Sequence, residues 1–91
     1  MINDYLNAIR TRIEQLKRLG DAKNLIIWDV QIDEANDPTL LSLRVYGTRE
    51  HVAAVKIACG VSGIWEKLPE TRIALLQPDE LMALRREYLE G

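Results

Sequence analysis

Ile2, Tyr5, Leu6, Ile9, Ile13 and Leu16 recur at spacings of three and four. That period predicts an amphipathic helix over residues 2–19 with one apolar stripe. Asn3 or Asp4 is placed to cap its start, and Gly20 to end it in the left-handed conformation. Arg10, Glu14, Lys17 and Arg18 fall off the stripe. A stripe of this kind must be covered, by the rest of the domain or by a partner. Tyr5, Leu6, Ile9, Ile13 and Leu16 are therefore a candidate docking helix.

The period shortens to two at Leu25–Ile32, with Trp28, Val30 and Ile32 on one face and Asp29, Gln31 and Asp33 on the other. This predicts a strand. Glu34-Ala35-Asn36-Asp37-Pro38 has the composition of a loop. Leu40–Tyr46 fits a second strand or a short helix. The helix is favoured, because Asp37 or Thr39 can cap it, Pro38 suits its first position and Gly47 closes it. Thr48 is placed to cap a helix over Arg49–Cys59, with Glu50 in its first turn and Gly60 at its end. Pro69-Glu70-Thr71 reads as a turn and Arg72–Leu76 as a short strand, with Ile73 and Leu75 on one face. Pro78 opens a last helix over 78–90 that carries Asp79 and Glu80 early and Arg85 and Arg86 late, both suited to the helix dipole. The expected fold class is α/β in the α+β sense, with one domain across residues 1–91.

Composition narrows the role. A chain of 91 residues makes one domain with a small core. With Phe absent and only two Trp and three Tyr, the core must be mostly aliphatic. The net charge of −2 does not attract a phosphate backbone, so nucleic acid is not an expected partner. Cys59 is the single cysteine, which rules out an internal disulfide. No apolar run approaches the ~20 residues that span a bilayer, and no basic-then-apolar leader opens the chain. The expectation is a protein made in the cytoplasm, without a membrane partner.

Candidate chemistry is sparse. Asp29, Asp33, Glu34 and Asp37 form an acidic run that could serve acid–base work or hold a cation, but without calcium-loop spacing it reads as a solvated face. His51 has no metal-ligand companions and reads as a surface residue in a first helical turn. Cys59 reads as a small core residue. Trp28 reads as core, whereas Trp65 divides between core and a sugar-stacking role. Neither a catalytic constellation nor a cofactor motif is expected.

The segment Leu25–Leu76 resembles a LysM module. Asp37, Thr39 and Leu40 stand for its Asp-Thr-Leu signature with Pro38 inserted, and Leu40, Leu41, Leu43 and Val45 form the helix that closes on Tyr46-Gly47-Thr48. Pro69-Glu70-Thr71-Arg72-Ile73-Ala74-Leu75 fits the final strand. The resemblance implies a βααβ core with two antiparallel strands over residues 25–76, extended here by a helix at each end. It also implies a groove for a glycan or a partner at Asn36, Asp37, Thr39, Leu40, Ser62, Gly63, Ile64 and Trp65. Asn36 and Glu70 replace glycines of the pattern, and Ala58-Cys59-Gly60 lacks its asparagine. The run Val45–Pro78 is similar to the tail protein X family of phage tails and baseplates, where the module joins other proteins. The leading expectation is a non-enzymatic docking protein of a phage tail, prophage tail or injection-system baseplate, incorporated into a virion or injection apparatus. The alternatives are a peptidoglycan- or chitin-binding module and a small adaptor that forms a homo-oligomer through its first helix.

Overall fold

The computed structural model describes residues 2–61 and 66–90. It is a mixed α+β fold in which two antiparallel strands enclose three helices in sequence, with one more helix at each end. Helix α1, Ile2–Arg18, buries Tyr5, Ile9, Ile13 and Leu16, the stripe read from the sequence. Gly20 sits at φ +68° and ends the helix. Its N–H donates to Lys17 O and that of Asp21 to Leu16 O. Because the stripe is spent on this domain's own core, it does not form an open docking or dimer surface.

Strand β1, Leu25–Asp29, pairs with β2, Arg72–Leu76, in the register Leu25↔Leu76 to Asp29↔Arg72. Four apolar residues of β2, from Ile73 to Leu76, are buried. Each face of the sheet meets a core cluster, and Ile73 and Leu75 share one face as the sequence predicts. Leu25, Ala74 and Leu76 face α1 and Leu81 of α5, Pro78–Arg85. Ile73, Leu75 and Trp28 face Leu41 and Val55. The last helix is followed by a π-turn over Arg86–Glu90 rather than continuing as α-helix.

Two expectations are corrected between the strands. The first strand stops at Asp29 instead of Ile32, and the expected loop contains helix α2, Ile32–Asn36. The cause is local: Gln31 turns back, donating its N–H to the Glu34 carboxylate at 2.8 Å and its side-chain amide to Asp29 O at 3.0 Å. Ile32 is consequently 67% exposed and does not join Trp28 and Val30 on a strand face.

Helix α3, Pro38–Tyr46, settles the ambiguous segment as helix. Asp37 caps it by accepting from Thr39 N–H, Pro38 takes the first turn and Gly47 closes it at φ +77°. A Cβ at Gly47 would meet nothing within 4 Å, so its conformation alone sets the cost of losing it. Gly47→Ala is expected to cost about 1 kcal/mol in urea unfolding. A neutral result would mean the turn relaxes freely. Thr48 then caps a 3₁₀ turn, Arg49–His51, that leads into α4, Val52–Cys59.

Candidate functional site

The proposed groove is built from the start of α3 outward. Asp37 Oδ1 accepts from Thr39 Oγ1 at 2.6 Å as well as from the Thr39 N–H. Arg49 reaches across from the 3₁₀ turn, donating to Thr39 Oγ1 at 2.7 Å and pairing with Asp37 Oδ2 at 3.2 Å. The Thr39 hydroxyl first, and Arg49 with it, hold the Asp37 carboxyl below its ordinary range against the opposing effect of desolvation. Leu68 N–H donates to Ala35 O at 3.1 Å, which ties the returning chain to the end of α2. Between these walls lies a depression of about 390 Å³ bordered by Asn36, Pro38 and Thr39, by Val52 and Lys56 of α4, and by Glu66 and Lys67.

Of the expected groove residues, Asn36 and Thr39 border the depression. Asp37 is spent holding the loop in shape, and Leu40 is half-buried outside the lining. Ser62, Gly63, Ile64 and Trp65 lie outside the described residues.

Asp29 and Asp33 of the acidic run are solvated, Asp29 on β1 and Asp33 on α2 rather than on the strand, but Glu34 is not. Glu34 is wholly buried. It accepts from Trp28 Nε1 at 3.0 Å, from Gln31 N–H at 2.8 Å and from Arg44 Nη1 at 2.9 Å. Arg44 also pairs with Asp33 at 2.8 Å, so one guanidinium clamps two carboxylates of α2 onto α3. Burial pushes the Glu34 carboxyl up, but the Gln31 N–H, Trp28 and Arg44 together outweigh it and hold the group ionised below its usual range. Arg44 likewise lowers Asp33, and Arg72, 2.9 Å from Asp29 across the strands, lowers Asp29. With every Glu34 contact taken by the protein, this carboxylate locks Trp28 and α2 in place and is not presented to a ligand. Sequence reading missed it. The available signal was Glu34 three residues after the turn at Gln31, the spacing at which a helix carboxylate reaches back to a free N–H.

His51 is also corrected, from surface to core, at 7% exposure. Its N–H donates to Ser42 Oγ at 3.1 Å and its ring stands edge-on to Tyr46 with centroids 5.4 Å apart. Nδ1 is buried with no hydrogen-bond partner among the described residues. Burial, then the charge of Arg85, lower its pKa from 6.5, with Glu50 opposing. The folded form therefore resists a proton that the unfolded chain accepts. Its stability is full above pH 6.5 and declines as the pH falls below that value. Urea unfolding at pH 7.5 and 5.5 is expected to give the lower free energy at 5.5, and His51→Phe to reduce the difference; an equal slope in the variant would contradict this assignment.

Cys59 is half-buried instead of fully enclosed. Burial pushes its thiol up to about 11, which leaves little thiolate at neutral pH. Among the described residues no cluster of three or more His, Cys, Asp or Glu is arranged to hold a metal ion, and no helix is long and apolar enough to cross a membrane. The chain matches no protein-family model, no curated protein and no solved structure.

Proposed function

We propose that this chain is a non-enzymatic docking protein with a LysM-like core, built into a phage tail, prophage tail or injection-system baseplate. The order strand, helices, antiparallel strand supports the LysM-like part of the reading. So do the Asp37-Pro38-Thr39 helix start and the Gly47 turn. The observation that carries the docking role is the groove's lining. The described lining places Lys56, Glu66 and Lys67 around Thr39. Charges of both signs at a solvated edge suit a polar protein surface and fix register more than they add affinity. The Asp37–Arg49 pair and the Leu68–Ala35 bond hold the walls in place, so docking requires little ordering.

The volume of the groove favours a second reading, as a glycan-binding module. About 390 Å³ falls within the range of small-molecule sites. One titration separates the two. The docking reading predicts that an N-acetylglucosamine oligomer, added to millimolar concentration, leaves the amide resonances of Asn36, Thr39 and Lys56 unmoved. A saturable set of shifts at those residues would overturn it and support the glycan reading.

A further inference from the structure

Among the described residues the strands of the sheet pair only with each other, so β1 has a second, outer edge. The bond from Val30 N–H to Thr71 O fixes which residues of β1 bond inward. Inward-bonding residues alternate along an antiparallel ladder, so Trp28 and Ile26 bond to β2 opposite Ile73 and Leu75. The main-chain groups of Leu25, Ile27 and Asp29 turn outward. Two of them are already satisfied: Leu25 N–H donates to Ala22 O, and Asp29 O accepts from the Gln31 amide. Among the described residues the open edge is then Leu25 O, Ile27 N–H, Ile27 O and Asp29 N–H. The Ile27 side chain, at its centre, is 50% exposed beside an apolar hollow of about 230 Å³ floored by Leu16, Leu25 and Ala74.

We propose that this edge pairs with the same edge of a second copy of the chain, antiparallel about a two-fold axis at Ile27, joining two two-stranded sheets into one of four strands. The argument for a second copy is that the open set is its own complement. Each Ile27 N–H meets the other copy's Ile27 O, and each Asp29 N–H meets the other copy's Leu25 O. The groups this pairing leaves unused, Leu25 N–H and Asp29 O, are the two that the chain already satisfies. The exposed Ile27 side chains meet across the axis at the spacing of a hydrogen-bonded pair, about 5.5 Å between Cα atoms. Asp29 keeps Arg72 as its counter-ion, so no unpaired charge enters the contact. The contact is isologous and closed. It uses a different surface from the groove, and it does not depend on the proposed function. One short strand pair is a small interface, so the dimer is weak and concentration-dependent.

Sedimentation equilibrium of the intact chain tests this. The weight-average mass is expected to rise from one copy toward two with concentration. Ile27→Pro removes two of the four bonds and leaves the inward ladder intact, because a proline is tolerated where its missing N–H faces solvent. It is expected to raise the dimer dissociation constant roughly tenfold to a hundredfold. Ile27→Lys keeps the main-chain groups but sets two like charges face to face, and is expected to weaken the dimer as well. In the unaltered chain the Ile27 amide should gain hydrogen-exchange protection as concentration rises. A chain that stays monomeric at every accessible concentration overturns the proposal, and so does a dimer in which the Ile27 amide remains unprotected.

Discussion

Glu34→Ala is expected to lower the unfolding free energy by roughly 3 kcal/mol, the scale for removing one member of a buried, hydrogen-bonded charge network. Trp28 Nε1 and the Gln31 N–H lose their acceptor together, and Arg44 keeps only Asp33. In a domain of this size the loss corresponds to a midpoint shift of roughly 12–24 °C. Glu34→Gln preserves an acceptor for Trp28 and should fall between the parent and the alanine variant. Thermal unfolding followed by the fluorescence of Trp28 and Trp65 checks both. A change of less than about 0.5 kcal/mol for alanine, the scale of an ordinary surface substitution, would mean that the carboxylate is not the clamp. The acid limb is linked to the same groups. Asp29, Asp33, Glu34 and Asp37 are all held below their ordinary values of 3.8 or 4.5 in the folded chain. Their contribution is full above pH 4.5 and is lost as the pH falls below the ordinary values, first for Glu34 and below 3.8 for the three aspartates, so acid unfolding should steepen below pH 3.8.

Leu41→Ala is expected to cost about 3 kcal/mol, within the 2–5 kcal/mol range for large-to-small substitution in a close-packed core. Leu41 is fully buried on α3, in the cluster that contains Val55, Ile73 and Leu75. Truncating it leaves a cavity between the helices and one face of the sheet. Collapse is limited there because Ser42, the next residue, is tied to Thr48 O and to the His51 N–H. Against a total stability of 5–15 kcal/mol, this single change should bring the chain near its folding threshold. Urea unfolding measures it. A cost below about 1 kcal/mol would show that α3 does not close over the sheet at this residue.

The punctuation of the fold was legible in the sequence. Asp37-Pro38-Thr39 and Gly47 mark both ends of α3 through requirements of the backbone itself, and Gly20 and Gly60 end α1 and α4 in the same way. The stripe of α1 was legible too, although not what covers it. The misreadings arose where a residue's environment comes from distant parts of the chain. Glu34 is buried because Trp28 and Arg44 converge on it from a strand and from another helix. His51 is buried because Tyr46 and Ser42 stand against it. Both carry ionisable side chains that composition assigns to the surface by default. Val30, Gln31 and Ile32 kept an alternating pattern, yet the main chain turned at Gln31, because a hydrogen-bonded turn and helix start are available there that periodicity does not register. Of the four expected groove residues that are described, Asn36 and Thr39 border the depression. Its opposing charges, Lys56, Glu66 and Lys67, come from α4 and from the chain that approaches β2, and no local motif links them.

Docking is the role proposed for this fold. The direct measurement is quantitative mass spectrometry of contractile-tail or injection particles purified from cells that make this chain. The docking role predicts a fixed copy number per particle, reduced when Lys56 and Lys67 are both changed to glutamate in a chain that still folds. Complete particles that lack the chain, while it accumulates free in the same cells, would contradict it.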